Sequence, residues 1–351
     1  MRNFWEKLKK RGRPIYALAP MAGYTDSAMR RICKKFGADV VYSEMASATA
    51  LVYDPVKTLG MLKFDPVERP YVVQLFGAKP DHFAAAARLI SDKIGPDGID
   101  INFGCPVKKV AKQGAGAVLM DNMPLARKII ESTIDNTNLP VSIKTRTRVN
   151  RTGLIDFLEF IKDLNISAIM IHGRTLKQGF AGTIDTGIIK KARDHFGGVI
   201  LANGGVGVTV TPPSSAPLRH PPLIRGGTGR GVAAPRARGA DVKSCVEELL
   251  AETGADGVGI ARGALGRPWI FKAVRTGQSL ARSPRAVFKI ALEHARLAEG
   301  LKGGRGIVEM RGQLCAYAAG LSGAKELRRE LVRVNTFKEI EGVFGEYLKS
   351  I

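Results

Sequence analysis

Eight short apolar segments rich in β-branched residues recur along the chain, and each is followed by a polar or glycine-containing turn and then by helical periodicity. This alternation is typical of βα units that pair in parallel. Eight such units predict a TIM (β/α)8 barrel, whose active site lies at the carboxyl ends of the strands. The predicted strands are Ile15 to Pro20, Val40 to Met45, Tyr71 to Phe76, Gly98 to Phe103, Val141 to Arg146, Ala168 to His172, Val199 to Asn203 and Gly257 to Arg262.

The pattern is helical from about Ser283 to the end of the chain, with breaks at paired glycines and at Asn335-Thr336. The 351 residues exceed the roughly 250 of one barrel, which leaves room for an appended helical bundle. The predicted domains are a basic N-terminal extension (1–14), a barrel (15–280) and a helical domain (283–351). The predicted helices are Ala286 to Leu301, Val308 to Ala319, Ala324 to Val334 and Phe337 to Leu348.

Polar or charged residues follow nearly every predicted strand, although buried apolar strands need none for stability. A single residue of this kind is explained by ordinary packing, but eight converging on one face predict a functional site. They are Pro20-Met21-Ala22, Glu44, Gln74, Asn102 with Cys105, Lys144 with Arg146, His172 with Arg174, Asn203-Gly204-Gly205, and Arg262-Gly263.

The residue types at these ends fit a flavin nucleotide. Backbone N–H groups of the glycine turns after strands seven and eight, Asn203 to Gly205 and Ala261 to Gly263, can approach a phosphate, and Arg262 adds charge. Lys144 can face the N1–C2 edge of a reduced flavin, and Gln74 can bond its pyrimidine edge. The alternatives are a solvated rim lysine at 144 and a rim histidine with satisfied hydrogen bonds at 172.

Composition points to a polyanionic partner. The net charge is +22, and self-repulsion of that size is tolerated mainly beside nucleic acid, although arginine enrichment in a GC-rich genome is an alternative. Four widely spaced cysteines indicate neither a zinc site nor a disulfide framework. The cysteine spacing therefore predicts a protein without a metal site. No segment has the ~20 apolar residues of a membrane helix, so we expect a cytoplasmic protein. The sequence does not define an oligomeric state.

At these residues the chain resembles the tRNA-dihydrouridine synthase family, in particular its B-type bacterial branch. The similarity runs from about residue 15 to the C-terminus with one interruption. The motifs that carry it are Ala19-Pro20-Met21-Ala22-Gly23-Tyr24-Thr25-Asp26, Gln74-Leu75-Phe76-Gly77, Asp100-Ile101-Asn102-Phe103-Gly104-Cys105-Pro106, Lys108-Lys109, Gly114-Ala115-Gly116, Lys144-Thr145-Arg146, His172-Gly173-Arg174-Thr175, Ala202-Asn203-Gly204 and Arg262-Gly263-Ala264-Leu265-Gly266-Arg267-Pro268-Trp269.

The resemblance implies that NADPH, or NADH, reduces FMN, and that the flavin gives hydride to C6 of a uridine in tRNA while Cys105 protonates C5. A thiol is a plausible general acid for this step. The implied FMN ligands are Pro20, Met21, Ala22, Gln74, Lys144, His172, Asn203, Gly204, Gly205, Ala261 and Arg262.

Free cysteines usually pack in cores, and we assign Cys33, Cys245 and Cys315 that role. Cys105 differs because Gly104 and Pro106 place it on a turn and two lysines follow.

The substrate contacts are predicted from charge and position. The lysines after Cys105 are expected to attract RNA phosphate, and three arginines of the helical domain are expected to form a phosphate-binding stripe. The resemblance implies that this domain binds tRNA; a solvated helical face is the alternative. The predicted contacts with the uracil edge or with phosphate are Asn102, Arg174, Lys108, Lys109, Arg328, Arg329 and Arg333.

The chain departs from the family pattern at about 206–241, a segment rich in Pro, Gly and Arg that holds roughly 30 extra residues by resemblance. It is interpreted as a basic arm that touches tRNA, a neutral insertion, or a gene-model error. Two other functions stay open: a flavin barrel acting on a small pyrimidine, such as a dihydroorotate dehydrogenase, and a catalytically silent tRNA-binding protein.

Overall fold

The computed structural model describes residues 3–207, 242–279 and 282–351. Its centre is a closed barrel of eight parallel strands in which each strand pairs with its sequence neighbours and β8 pairs with β1. This confirms the TIM barrel. The strands are β1 (Ile15–Leu18), β2 (Val40–Ser47), β3 (Tyr71–Phe76), β4 (Gly98–Asn102), β5 (Val141–Arg146), β6 (Ala168–His172), β7 (Val199–Asn203) and β8 (Gly257–Ile260).

The strands are buried along nearly their whole length, as expected for a parallel sheet covered by helices on its outer face. Three strands were predicted one or two residues too long, because Pro20 and Phe103 belong to the loops that follow and Arg262 begins a short 3-10 helix. The second strand was predicted two residues too short, since it continues to Ser47. A small antiparallel ribbon, Arg148–Val149 with Thr152–Gly153, follows β5.

The predicted N-terminal extension includes a helix that closes the amino-terminal end of the barrel. Trp5 and Leu8 are buried in the interior core, whereas the lysines at 7, 9 and 10 are exposed. Lys9 forms an ion pair of 3.6 Å with Asp256. The basic side chains of this segment therefore lie on the exposed face of a packed helix.

Helices surround the barrel and form the C-terminal bundle. In chain order they are α1 (Phe4–Lys9), α2 (Ser27–Lys35), α3 (Ala48–Tyr53), α4 (Pro55–Leu62), α5 (Pro80–Lys93), α6 (Lys108–Ala111), α7 (Met123–Ile134), α8 (Leu154–Phe160), α9 (Thr186–Lys191), α10 (Val242–Thr253), α11 (Ile270–Thr276), α12 (Pro284–Lys302), α13 (Gly304–Glu309), α14 (Arg311–Tyr317), α15 (Ala324–Leu331) and α16 (Phe337–Lys349).

Two of the predicted C-terminal helices were wrong in extent. The single helix predicted from 308 to 319 is two helices, α13 and α14, separated at Met310, whose ψ of 2° leaves the helical region. The next helix ends at Leu331, because the guanidinium of Arg311 bonds the carbonyls of Arg333 and Val334 at 3.2 and 2.7 Å and holds them outside the helix.

The bundle has its own apolar core, which continues into the barrel through Ala28 and Ile32 of α2 and through Trp269. Close approach at Gly266 tightens this junction, since a Cβ there would lie 2.2 Å from the backbone of Ala316. Burial of these apolar side chains fixes the bundle beside the turn that follows β1.

Candidate active site

Five predicted site residues meet at the carboxyl-terminal end of the barrel, which we call the mouth. Asn102 on β4 pairs in register with Lys144 on β5, and His172 on β6 pairs with Asn203 on β7. Gln74 lies on the adjacent β3 and is almost fully buried. The strand ends therefore place one cation and several hydrogen-bonding groups in one small volume.

A chain of side-chain hydrogen bonds crosses the strands beneath the mouth. Asp100 accepts from Gln74 Nε2 at 2.8 Å and from Ser142 Oγ at 2.7 Å. Asn102 Nδ2 donates to Gln74 Oε1 at 3.0 Å, and Asn102 Oδ1 accepts from the backbone N–H of Cys105 at 2.9 Å. Gln74 thus has one N–H left for a ligand. The sequence had predicted that both its donor and its acceptor would be available to the flavin.

Cys105 lies partly exposed on the loop after β4. Its carbonyl accepts from Ala117 N at 3.0 Å, and a Cβ at Gly116 would lie 3.0 Å from that carbonyl oxygen, so the Gly114-Ala115-Gly116 motif packs behind the cysteine. Burial raises the pKa of the Cys105 thiol, with a smaller opposing effect from a backbone hydrogen bond and from nearby cations. The group therefore holds its proton at neutral pH.

Lys144 lies deep in the mouth, with part of its surface open to solvent. Burial and the neighbouring charge of Arg146 lower its pKa to about 8, while Asp100 and Cys105 oppose this shift. Among the described residues, no carboxylate lies within ion-pair distance of its ammonium group and no acceptor bonds it. Its charge is thus available to a ligand.

Burial, together with the surrounding cations, keeps His172 neutral. Burial, followed by the charges of Lys144, Arg146, Arg174 and Arg262, lowers the pKa of His172 to about 2. The ring nitrogen Nε2 lies 3.3 Å from a guanidinium nitrogen of Arg174. A neutral imidazole among four cations indicates that the mouth is built for negative charge.

Two of these arginines brace the loop after β6. Arg174 donates from Nε to the carbonyls of Ala181 and Gly182 and from one terminal nitrogen to Gly182 O at 2.8 Å, and so holds this loop. Arg146 donates to Gly104 O at 2.8 Å and to carbonyls at 175 and 179, which ties this loop to the cysteine loop. The sequence did not assign this role to Arg146.

The glycine turns after β7 and β8 lie against each other. Gly204 and Gly205 have φ of 114° and 78°, and a Cβ at Gly263 would lie 2.3 Å from the carbonyl of Val206. Asn203 Nδ2 donates to Gly259 O at 2.7 Å and joins the two strands. The two glycine turns, which we call the glycine cup, therefore pack directly backbone against backbone.

Arg262, beside this cup, lies 4.7 Å from the ring centroid of Phe180, which is 57% exposed. An exposed aromatic ring at the mouth went unpredicted, because nothing in the local pattern distinguishes it from other loop residues. Ala261 lies at the start of this turn, with φ −104° and ψ −105°.

The turn after β1 holds the remaining predicted cofactor residues. Pro20 and Met21 are partly buried and Ala22 is exposed. The turn is fixed from both sides: the N–H of Gly23 donates to Glu44, and the carbonyl of Tyr24 accepts from Gln313 Nε2 at 2.9 Å. Gln313 belongs to the bundle, so two domains shape this turn.

The predicted phosphate contacts lie apart from the mouth residues. Lys108 and Lys109 are exposed on α6, beside the cysteine loop. Arg328 is half-buried and Arg329 exposed on α15, whereas Arg333 is exposed beyond its end. Within the described residues none of the five pairs with a carboxylate.

The predicted insertion, 206–241, lies outside the described residues except for its first two. Gly207 accepts a hydrogen bond from the guanidinium of Arg267. Over 3–207, 242–279 and 282–351, no cluster of metal-ligating side chains occurs, and none of the helices is both long and apolar enough to cross a bilayer.

Fold and site together define a TIM-barrel protein with a cation-rich mouth and a thiol on its rim. The sequence model of one family, described as "Dihydrouridine synthase (Dus)", matches residues 17–210 and 241–349. The chain belongs to this family, as the sequence motifs predicted.

Curated relatives agree over nearly the whole chain. A probable tRNA-dihydrouridine synthase of Aquifex aeolicus is 30% identical over 337 residues, covering 94% of both chains. The tRNA-dihydrouridine synthase B of Pseudomonas aeruginosa is 30% identical, covering 90% of this chain and 87% of its own.

Solved structures share the barrel at low identity. A 2-naphthoyl-CoA reductase in complex with 2-naphthoyl-CoA has a TM-score of 0.51 at 11% identity, covering 75% of this chain and 50% of the other. At that identity the likeness concerns the fold alone.

Proposed function

We propose that this chain reduces a uridine of tRNA to dihydrouridine, with FMN as its cofactor and NADPH or NADH as reductant. Family membership supports the reaction class, and the single structural observation that carries the proposal is the partly exposed thiol of Cys105 at the rim of a cation-rich mouth. The names of its relatives state the same activity, with tRNA as the substrate.

The residues of the mouth fit FMN. Buried positive charge without a counter-ion is costly, and here Lys144 is unpaired among the described residues while Asp100 is bonded to Gln74 and Ser142. A phosphate at the glycine cup near Arg262 and an electron-rich ring edge near Lys144 would supply the missing negative charge. When bound, FMN supplies the hydride that adds to C6 of uracil.

The residues of the chain then have distinct tasks. Cys105 holds a proton because burial raises its pKa, and it gives that proton to C5 as the C5=C6 bond is reduced. The thiolate left behind is stabilised by Lys144 and Arg146, whose charges favour the ionised form, and solvent restores the proton. Gln74 offers its free N–H to the cofactor ring.

tRNA is held by charge in this proposal. Lys108 and Lys109 flank the cysteine loop, and Arg328, Arg329 and Arg333 belong to the bundle, which makes two phosphate-binding regions on one chain. The target base must leave its stack to reach the mouth. A cytoplasmic location stays a prediction.

The decisive experiment uses the purified full chain. Its flavin absorbance is recorded, and it is incubated with NADPH and unmodified tRNA, followed by mass spectrometry of the nucleosides. Dihydrouridine in tRNA, without reduction of free uridine or oxidation of dihydroorotate, is expected. A yellow enzyme that oxidises dihydroorotate equally well, or a colourless protein that only binds tRNA, would contradict the proposal.

A further inference from the structure

The chain of hydrogen bonds beneath the mouth has a direction that is set at both ends. At one end Asn102 Oδ1 accepts from the backbone N–H groups of Gly104 and Cys105, at 3.0 and 2.9 Å. Backbone N–H groups can only donate, so the oxygen of this amide must face the loop and its nitrogen must face Gln74.

Asp100 is the other end. It is fully buried within β4, where a charged residue interrupts an apolar strand, and it pairs in register with Gln74 on one side and Ser142 on the other. Burial raises its pKa to about 6, against the opposing effect of the bonds from Gln74 and Ser142. Above that pH the ionised carboxylate only accepts, so the nitrogen of Gln74 must face it.

We propose that Asp100 is a positioning residue for the loop that carries Cys105. Its carboxylate fixes the amide orientation of Gln74, so that the Gln74 oxygen faces Asn102 and accepts from its nitrogen. This bond holds the Asn102 side chain in the position from which its oxygen binds the two N–H groups of the loop. Asp100 touches neither the thiol nor a surface that tRNA can reach, and it acts through the two amides. Its significance for catalysis rests on the proposed function of Cys105.

The test compares two substitutions of Asp100 in the full chain. Asp100→Leu removes the acceptor and keeps a branched side chain of similar shape, so the buried Gln74 nitrogen loses its partner and the amides can rotate. Asp100→Asn removes the charge but keeps a carbonyl oxygen for Gln74. Ser142→Ala is the matched control, since it removes the other bond to Asp100 and leaves the chain to Cys105 intact.

The primary measurement is the rate at which iodoacetamide alkylates Cys105, followed by peptide mass spectrometry without tRNA. Rates are taken from about pH 7 to about pH 10, so that a change in thiol pKa is separated from a change in access. The half-buried Cys245 reports general loosening of the protein in the same sample.

We expect Asp100→Leu to raise the Cys105 rate about tenfold relative to Cys245, and Asp100→Asn and Ser142→Ala to stay within about twofold of the parent protein. Equal rates in Asp100→Leu and the parent would overturn the proposal. So would an equal increase in Asp100→Asn, because the charge and not the acceptor would then matter.

If Asp100→Leu does not fold, Gln74→Met cuts the chain one residue later and carries the same expectation. Because alkylation requires no turnover, a parent protein that forms no dihydrouridine would contradict the proposed function and leave this inference standing. In an active protein, Asp100→Leu should lower kcat and leave the KM for tRNA unchanged, since the residue is inaccessible to RNA.

Discussion

Gln313 of the helical bundle donates a hydrogen bond of 2.9 Å to the carbonyl of Tyr24, in the turn that follows the first barrel strand. The two residues are 289 positions apart in the chain. The same turn contains Pro20 to Ala22, the predicted flavin contacts, and Asp26, which forms an ion pair of 2.9 Å with Lys302 of the bundle. A domain predicted to bind tRNA therefore also shapes the proposed cofactor site.

Gln313→Ala should weaken FMN binding by a few fold while leaving the thermal midpoint nearly unchanged. The substitution removes the bond to the Tyr24 carbonyl, but it also removes a buried Gln313 oxygen that lacks a partner among the described residues. Equilibrium dialysis of FMN measures the effect. Lys35→Ala, which breaks an exposed ion pair with Glu293 across the same domain boundary, should leave FMN affinity unchanged.

Lys144→Met should weaken FMN binding and remove its pH dependence at alkaline pH. The pKa of Lys144 is lowered to about 8, so its positive charge is present below that pH and is lost as the pH rises through it. The affinity of the parent protein for FMN should therefore fall above about pH 8, by up to about tenfold per pH unit. Lys112→Met, at an exposed lysine on the rim, should keep the parental profile. If FMN affinity depended on pH in Lys144→Met as it does in the parent protein, Lys144 would not be part of the cofactor site.

Arg329→Glu combined with Arg333→Glu should raise the Kd for tRNA about tenfold or more at low salt and reduce the slope of log Kd against log salt. Both side chains are exposed on the bundle without a carboxylate partner among the described residues. The matched control is Lys128→Glu combined with Lys191→Glu. Both lysines are exposed on the outer helices α7 and α9, and this double variant changes the net charge by the same amount. If both double variants lose the same affinity, only net charge matters and the stripe is not a binding surface.

Deleting residues 211–240 should leave FMN content and thermal stability unchanged, because the family model matches the chain up to 210 and again from 241. The deleted segment contains five arginines and no acidic residue. Weaker tRNA binding after deletion would identify it as a basic arm, whereas unchanged binding fits a neutral insertion or a gene-model error. Loss of flavin would show instead that it completes the phosphate cup that begins at Asn203.

The barrel and the meeting of its strand ends could be predicted because they depend on local periodicity and on a general property of parallel sheets. The partners of the polar side chains could not. Arg174, a candidate uracil contact, also bonds carbonyls seven and eight residues later, and these bonds depend on the loop conformation. Its contact with uracil stays a prediction. Asn102 likewise bonds Gln74 and the cysteine loop, and its predicted contact with uracil stays a prediction.

Charge also concealed packing at the N-terminus. Lysines and arginines are frequent in the first 14 residues and indicate an exposed segment. The helix there nevertheless packs into the barrel interior through Trp5 and Leu8. The burial of Asp100 could have been predicted from the sequence, since a carboxylate inside an apolar strand indicates a buried, hydrogen-bonded group. The identity of its partners still required the register of three strands.

Cys105→Ala should lower dihydrouridine formation by about 10²- to 10⁴-fold, the range for loss of a general acid. FMN content and the Kd for tRNA should not change, because the thiol is uncharged at neutral pH and its pKa is raised by burial. In the parent protein the rate should fall at alkaline pH, since the donor proton is present below the thiol pKa and lost above it. Cys245→Ala should retain parental rates, and a Cys105→Ala enzyme with the same rates would show that another group protonates C5.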